Sequence, residues 1–311
     1  MNKARGIIGS LPRGARIAVI RLRSLGDSIL ATPAIHLLGV ARLDVEIAVV
    51  TDSQFRGVYE GNSDVAAILE PTVRAVRSFG SDLCINLHGG NTSARLTLLS
   101  GAKFRAGFAH FRYSKIYNIS IPRAQEVLGV TRRVHTAEHA ASAVFHLGVE
   151  ETEIPRARLF TSTAPPHIVR DRRPYAVIHP TASHPDKTWP APFFASIAQY
   201  LNREMGLTPV FVAGPGEDIS PFQTWPVVAG ASLDTLKALI QDAALFLGND
   251  SGPAHMAAAF GRPVVVLFGS SDPVVWSPWR TQGEVLVSEG PIQSISETAV
   301  MRALDRMRVY A

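Results

Sequence analysis

The sequence is poor in cysteine and in long apolar runs. Cys84 is the single cysteine among 311 residues, which excludes a disulfide framework and a cysteine-ligated zinc site. It lies in the apolar run 82–87, so we expect a packed thiol rather than a nucleophile. No run reaches the ~18–20 apolar residues of a membrane span. Residues 1–16 are basic and glycine-rich without a signal-peptide core, so we expect a cytoplasmic protein.

Several motifs of nucleotide and hydrolytic enzymes are also missing. Neither half of the chain has G-x-G-x-x-G after its first strand, a G-x-x-x-x-G-K-[ST] loop or a G-x-S-x-G elbow. These absences disfavour a dinucleotide-dependent oxidoreductase, a P-loop enzyme and an α/β-hydrolase. His135, Glu138 and His139 superficially resemble a metal pair, but their spacing differs from the zincin pattern, so we interpret them as a solvated helix face. The sequence therefore predicts no metal site.

The composition is that of a well-packed α/β protein. Hydrophobic residues make up 46% of the chain, and the mean hydropathy is +0.12. The length exceeds the usual single core, so two domains of about 150 residues are expected. A net charge of +5 and a pI near 9.6 favour anionic partners, but the charge is too mild and dispersed to argue for nucleic acid.

Apolar runs alternate with helical patterns along the chain, and the alternation restarts after residues 151–173, a segment rich in Pro, Thr, Arg and Glu. We interpret that segment as a linker plus a short edge strand. The region 111–122 looks irregular, and Pro33 is assigned to the first turns of its helix. Predicted strands are 16–22, 45–50, 65–69, 82–87, 104–108, 175–180, 208–213, 227–230, 243–247, 264–268 and 284–288. Predicted helices include 55–60, 93–99, 134–148, 192–205, 233–241 and 297–308.

This pattern predicts two Rossmann-like domains with mainly parallel sheets, one over residues 1–155 and one over residues 156–311. This domain assignment allows the last helix of the second domain to pack back on the first domain.

Polar turns follow the strands of the second half, and all are expected at one carboxyl edge of its sheet. They offer a lysine, hydroxyls, an acid and the start of a small-residue helix. A helix N-terminus and a lysine suit phosphates, and a carboxylate suits ribose hydroxyls. The alternative is an ordinary capped turn with a solvated histidine. The residues concerned are Thr181, Ser183, Lys187, Glu217, Asp250, Ser251, Gly252 and His255.

The first half has one comparable turn, at Gly26-Asp27. As a helix cap, Asp27 would contribute about 1 kcal/mol to stability. As a general base, it would accept a proton from an attacking hydroxyl across the interdomain cleft. The residues alone leave both interpretations open.

Three motifs resemble glycosyltransferase family 9, the lipopolysaccharide heptosyltransferases. Arg21–Pro33 reads R-x-R-S-x-G-D-x-x-x-x-x-P, and His179-Pro180 is followed by Lys187-x-Trp189-Pro190. The most specific is 248–263, G-N-D-S-G-P-A-H-x-A-A-A-x-G-x-P, which resembles the D-[TS]-G-x-x-H donor turn of that family. The resemblance spans almost the whole chain.

The resemblance implies a GT-B fold, with two Rossmann-like domains facing across a cleft, and transfer of heptose from ADP-heptose to the lipopolysaccharide inner core. It places the catalytic base at Asp27, a diphosphate contact at Lys187 and a ribose contact at Glu217. The donor turn maps to Asp250, Ser251, Gly252 and His255. The other donor contacts map to Thr181, Ser183, Ala231 and Ser232, and the length of the loop before Lys187 leaves Thr181 and Ser183 as alternatives.

The first domain of such an enzyme would bind the acidic acceptor. No motif selects the residues, and the candidates are Arg56, Arg95, Arg105, Arg112 and Lys115. We expect inverting transfer without metal or cofactor, by an enzyme that works peripherally at the inner face of the cytoplasmic membrane of a Gram-negative-type bacterium. Two other functions stay open: a GT-B enzyme of cell-surface glycan synthesis using another nucleotide sugar, and a non-catalytic nucleotide-binding relative.

Overall fold

A computed structural model describes residues 6–172, 174–307 and 309. Residues 1–5 of the basic N-terminal segment and Arg308 of the last predicted helix lie outside these ranges. The chain divides into two compact units, with the boundary between Phe160 and Thr161. Each unit is a parallel sheet covered by helices.

The first unit holds a sheet of six parallel strands in the order β3-β2-β1-β4-β5-β6, within the described residues. The strands are β1 (Arg16–Ile20), β2 (Glu46–Val50), β3 (Ala67–Leu69), β4 (Leu83–Asn86), β5 (Phe104–Phe108) and β6 (Ile119–Ile121). The helices are α1 (Gly6–Ser10), α2 (Leu25–Ala41), α3 (Val73–Phe79), α4 (Asn91–Leu99), α5 (Ala124–Val127) and α6 (Thr136–His146), with 3₁₀ turns at Ser53–Val58 and Ser114–Ile116.

The second unit repeats this plan, and its described strands follow the order β12-β11-β10-β7-β8-β9, again all parallel. The strands are β7 (Tyr175–His179), β8 (Thr208–Ala213), β9 (Val227–Ala229), β10 (Leu245–Asn249), β11 (Val264–Phe268) and β12 (Gly283–Val287). The helices are α7 (His167–Arg170), α8 (Ala191–Arg203), α9 (Leu233–Gln241), α10 (Gly252–Ala259), α11 (Pro273–Trp276) and α12 (Glu297–Met307), with 3₁₀ turns at Pro185–Lys187, Ser220–Phe222 and Ile292–Ser294.

The central strands are apolar along their length because helices cover both faces of each sheet. Every residue of β7, β10 and β11 is buried. Trp189 anchors the core of the second unit and donates from its indole Nε1 to the Ile295 carbonyl at 2.9 Å. Cys84 is fully buried in β4, and burial raises the pKa of its thiol to about 12, as expected for a packed thiol.

In each sheet, the direction in which successive strands are added across the sheet reverses beside the first strand of the unit. The reversal falls between β1 and β4 in the first unit and between β7 and β10 in the second. At such a point the two following loops diverge and leave a crevice at the carboxyl edge, where open α/β sheets bind their ligands. The topology thus selects the turn before α2 and the turn before α10 as the candidate sites.

The start of α2 and the position of its proline differ from the sequence prediction. Ser24 is the N-cap and the helix begins at Leu25, so Pro33 lies in the helix interior rather than in its first turns. A proline there leaves the carbonyl of Ile29 without its usual N–H donor. The Thr32 hydroxyl donates to that carbonyl at 2.7 Å and accepts the backbone N–H of Arg158 at 2.8 Å. One buried hydroxyl therefore compensates the proline and fastens the last segment of the first unit.

Three other parts of the secondary structure differ from the prediction. The region 111–122 is not wholly irregular, since it contains β6, which pairs with β5. The helix α3 was not predicted, and Thr72 caps it by accepting from the Ala75 amide at 3.1 Å. Residues 151–173 form no edge strand within the described residues but contain α7. The missed elements are of three to seven residues, too short for their periodicity to stand out.

The last helix packs within its own unit. α12 contacts α8, β11 and β12. Among the described residues, no helix combines the length and apolar character needed to cross a membrane.

The carboxyl end of β10 approaches β7 too closely for any side chain at Gly248. A Cβ at that position would lie 2.8 Å from the His179 carbonyl oxygen. We expect Gly248→Ala to lower the free energy of unfolding of the second unit by about 1–3 kcal/mol, because backbone atoms must shift to admit the methyl group. Gly290→Ala is the matched control, since a Cβ there meets nothing within 4 Å. Urea unfolding of both variants checks this, and equal stabilities would contradict it.

Candidate active site

The carboxyl ends of β7 and β10 are fastened together by one buried amide side chain. Asn249 Oδ1 accepts the backbone N–H of Trp189 at 3.1 Å, and its Nδ2 donates to the Pro180 carbonyl at 2.9 Å. Asn249 is fully buried. These two bonds hold both ends of the loop after β7 against the turn that follows β10, so the polar side chains of the two segments lie side by side.

Lys187 and Asp250 form the charged part of this edge. Lys187 Nζ lies 3.3 Å from Asp250 Oδ2, with the two side chains 26% and 9% exposed. A half-buried lysine beside a carboxylate keeps its ammonium in a defined position. Lys187 thereby presents a fixed positive charge at the sheet edge, and Asp250 serves as its anchor.

A series of polar side chains connects Ser251 to Glu217 through the ring of His179. Ser251 Oγ lies 3.1 Å from His179 Nδ1, and Thr181 Oγ1 lies 3.2 Å from His179 Nε2. Thr181 donates its hydroxyl hydrogen to Glu217 Oε2 at 2.5 Å, and the Gly214 amide donates to the same oxygen at 2.7 Å. The turns after β7, β8 and β10 are thus linked by one hydrogen-bonded network.

Glu217 is held as a carboxylate by this network. Its pKa falls to about 2, first because of the His179 imidazole, whose Nε2 lies 3.7 Å from Oε2, and then because of the hydrogen bonds from Thr181 and from the Gly214 amide. The group is therefore ionised throughout the neutral range, as an acceptor of hydroxyl hydrogens must be.

The start of α10 differs from a simple capped turn. Ser251 occupies the N-cap position, yet its hydroxyl bonds to His179 instead of capping the helix. Gly252 is the first helical residue, and Pro253 brings no N–H of its own. His255 is buried in the first turns of α10, so the alternative of a solvated histidine was wrong. The helix N-terminus is left with its partial positive charge facing the edge.

Two further predicted donor residues are placed less centrally. Ser183 lies exposed on the loop after β7, while Thr181 belongs to the network. Of the two alternatives, the geometry favours Thr181. Ser232 is the N-cap of α9 and accepts the Thr235 amide at 3.2 Å. With its neighbour Ala231 it follows β9, at the same edge of the sheet.

In the first unit, Asp27 serves as part of a helix cap, and its carboxylate is also paired with a cation. It is the third residue of α2, and its Oδ2 accepts the Ser24 amide at 3.3 Å and the Ser24 hydroxyl at 3.1 Å in a capping box. Its Oδ1 pairs with the guanidinium of Arg21, which also donates to the Leu87 carbonyl at 2.6 Å. The carboxylate is 18% exposed. It is therefore oriented by two partners and still accessible.

Two imidazoles interact electrostatically with this carboxylate. Burial first, and then the guanidinium groups of Arg21 and Arg23, lower the pKa of His88 on the turn after β4. Burial first, and then His110 and Arg21, lower the pKa of His139 to about 4. Both shifts favour the neutral imidazole, and the Asp27 carboxylate acts on each ring in the opposite direction.

The interpretation of His135, Glu138 and His139 as a solvated helix face was wrong. His135 is buried as the N-cap of α6, and its amide donates to Glu138 Oε2 at 2.7 Å. The His139 ring stacks on Phe108, with 4.0 Å between the ring centroids. The three residues fix the start of α6 and pack it on the sheet. Among the described residues, no three His, Cys, Asp or Glu side chains converge as metal ligands.

The candidate acceptor residues fall into two groups. Arg56 and Arg105 are bound to their own unit: Arg56 donates to the Ile68 carbonyl at 3.1 Å, and Arg105 donates to the Ile116 carbonyl at 3.2 Å. The other three are exposed, on α4 and around the adjacent 3₁₀ turn: Arg95, Arg112 and Lys115. Two of the five candidates are thus engaged by backbone carbonyls of their own unit, and three are exposed.

The residues that orient the others were not predicted from the sequence. These are Arg21, His179 and Asn249, each of which lies within or beside one of the three family motifs. A polar residue at the end of a buried strand was the available signal, since such a side chain is buried only when it is bonded.

Two Rossmann-like units, each with a parallel sheet and polar groups at its switch point, form the architecture expected of a GT-B glycosyltransferase. The model of glycosyltransferase family 9 (heptosyltransferase) matches residues 72–303, and the chain belongs to that family. Lipopolysaccharide heptosyltransferase 3 of Escherichia coli is 28% identical over 83% of this chain and 84% of its own.

Two solved structures share the fold. The family 9 glycosyltransferase of Veillonella parvula superposes with a TM-score of 0.82 at 22% identity, covering 98% of both chains. The E. coli heptosyltransferase WaaC with ADP gives a TM-score of 0.79 at 18% identity, covering 94% of this chain and 99% of that one. The recognition of the family and the GT-B fold from sequence is confirmed.

Because the pKa of Glu217 is lowered, we expect the contribution of this carboxylate to protein stability to depend on pH. A carboxylate whose folded-state pKa is lowered to about 2 contributes stability that is present above its usual pKa of 4.5 and is lost as the pH falls toward 2. The Tm difference between the wild type and Glu217→Gln should therefore be largest near pH 7 and shrink below pH ~4.5. Glu204→Gln, at an exposed position after α8, is the control. A difference that is constant from pH 7 to 3 would contradict this explanation.

Proposed function

We propose that this glycosyltransferase transfers a heptose from ADP-heptose to a hydroxyl of the lipopolysaccharide inner core, either a Kdo or a heptose, with inversion at the anomeric carbon. The observation that carries the proposal is the edge formed by β7, β8 and β10. A fixed lysine, a helix N-terminus and an ionised carboxylate lie on adjoining turns there. Solved structures of the E. coli heptosyltransferase WaaC with ADP and with ADP-2-deoxy-2-fluoro heptose support an ADP-linked donor.

In this proposal the diphosphate binds between Lys187 and the start of α10. Lys187 and the amide of Gly252, with the helix dipole, meet the phosphate oxygens, and Ser251 and His255 complete the turn. As the bond to the sugar breaks, negative charge collects on the departing ADP, and the same groups stabilise it. Because the protein supplies this positive charge, we propose that transfer needs no metal or cofactor.

Glu217 is the proposed partner of the ribose. Thr181 and the Gly214 amide both donate to Oε2, so Oε1 is the oxygen that we assign to the ribose hydroxyls. The hydroxyl of Thr181 orients this carboxylate, and Ser232, after β9, lies on the turn assigned to the adenosine. Asp250 contributes indirectly, by holding the Lys187 ammonium in position.

Asp27 is the proposed general base. It accepts the proton of the acceptor hydroxyl as that oxygen attacks the anomeric carbon. The Ser24 bonds and the Arg21 pair hold the carboxylate in one orientation.

The acceptor is anionic and lipid-linked in this proposal, and the exposed cations of the first unit suit it. Residues 83–125 contain no Asp or Glu but six Lys or Arg. Arg95, Arg112 and Lys115 are the exposed members discussed above. We propose that the enzyme meets its acceptor in the cytoplasm, peripherally at the inner face of the membrane.

Asp27→Asn separates the base from the cap, because asparagine keeps a hydrogen-bond acceptor for Ser24 but cannot take the proton. We expect the rate of heptose transfer to fall about 10²–10⁴-fold while the Kd for ADP-heptose changes little. Asp44→Asn is the control, since Asp44 is also paired with an arginine of the first unit, at 2.8 Å. Transfer is followed by mass spectrometry and donor binding by calorimetry. Near-normal turnover would assign the base elsewhere.

A nucleotide screen tests the identity of the donor. We expect ADP to raise the Tm more than UDP or GDP at equal concentration, because ligand affinity for the folded state sets the shift and the base contacts distinguish nucleotides that share a diphosphate. Lys187→Ala should reduce all three shifts. A larger shift with UDP or GDP would favour a different nucleotide sugar.

A further inference from the structure

His179 lies between the two parts of the proposed donor site, and its role is not covered by that proposal. It is the last residue of β7, its side chain is 8% exposed, and each ring nitrogen faces a hydroxyl. On one side is Ser251, at the start of α10. On the other are Thr181 and, 3.7 Å from Nε2, the Glu217 carboxylate.

Counting hydrogens fixes the tautomer of this ring. Thr181 has one hydroxyl hydrogen, and that hydrogen is donated to Glu217 at 2.5 Å. Thr181 Oγ1 can therefore only accept from His179, which requires a hydrogen on Nε2. In a neutral imidazole Nδ1 is then an acceptor, and Ser251 must donate its hydroxyl hydrogen to it.

In this arrangement the Ser251 hydroxyl cannot donate a hydrogen bond to an anionic ligand. A Ser251 hydroxyl that donates to His179 turns its lone pairs, and not its hydrogen, toward the start of α10, where the diphosphate is proposed to bind. If Nδ1 gains a proton from the solvent, the direction of the bond reverses. Nδ1–H then donates to Ser251 Oγ, and the hydroxyl hydrogen becomes available to a phosphate oxygen.

We propose that His179 is a positioning residue that takes up a proton when the nucleotide sugar binds, and so converts Ser251 from a donor to the ring into a donor to the diphosphate. The proposal rests on the donor site described above. The step forms one N–H bond on Nδ1, with the proton taken from bulk water, and leaves Nε2–H bonded to Thr181.

The charges around the ring favour this uptake. On the turn after β8, the Glu217 carboxylate faces Nε2 and stays ionised at neutral pH. On the turn after β10, Asp250 is paired with Lys187 at 3.3 Å, so these two charges largely offset each other. The added diphosphate charge therefore tips the balance toward an imidazolium.

The tautomer and the proton uptake are measured by ¹H–¹⁵N correlation spectra of the full-length protein with ¹⁵N-labelled histidine, the ring being assigned by loss of its signals in His179→Gln. We expect an Nε2–H imidazole in the free protein at pH 7.5 and a doubly protonated ring with saturating ADP-heptose. An Nδ1–H tautomer in the free protein, or a neutral ring in the complex, would overturn the proposal. If ADP-heptose perturbed no signal of the protein, the donor assignment itself would fail instead.

A binding experiment supplies an independent readout. The phosphates of ADP-heptose are esterified and do not titrate near neutrality, so proton uptake by His179 makes the affinity fall as the pH rises from 6 to 9, by up to about tenfold per pH unit. His179→Asn and Ser251→Ala should both flatten this profile. His184→Asn, at an exposed histidine of the same loop, should retain it. A wild-type profile in the His179→Asn variant would overturn the proposal.

Discussion

The close approach of β10 to β7 is the constraint on which the second unit depends. There is no room for a side chain between Gly248 and the His179 carbonyl. The buried Asn249 side chain forms hydrogen bonds with both ends of the loop that follows β7. Because the two strands pack closely at their carboxyl ends, the polar side chains that follow them lie at the edge of the sheet. The lysine, the hydroxyls and the helix start therefore lie side by side at this edge, and Asn249 holds the loop that carries the lysine.

The same logic appears in the first unit, with different chemistry at its rim. Asp27 follows β1 at the switch point beside β4, and its carboxylate is oriented by Ser24 and Arg21. In the proposed function, Asp27 at the edge of the first sheet acts as the base, and Lys187 with the start of α10 at the edge of the second sheet binds the diphosphate. The topology explains why polar residues lie at each switch point, after β1 in the first unit and after β7 and β10 in the second.

Much of the fold could be predicted from the sequence, since the long apolar strands and the helices α2, α8 and α9 have clear periodicity. The short elements β6, α3 and α7 could not, because three to seven residues carry too little pattern. Pro33 was misplaced because its compensation is tertiary: the Thr32 hydroxyl serves both Ile29 and Arg158, which is 126 residues distant in sequence. The motifs identified the family, but they did not reveal that Ser251 bonds to His179 rather than capping its helix.

We propose that this chain carries a heptose from an ADP-linked donor to a lipopolysaccharide core. The decisive experiment is incubation of the purified protein with ADP-heptose and truncated core acceptors, followed by mass spectrometry. We expect an inner-core acceptor to gain the mass of one heptose residue, with ADP released in equal amount. Absence of that product with every truncated core, together with transfer from a UDP- or GDP-linked sugar, would contradict it.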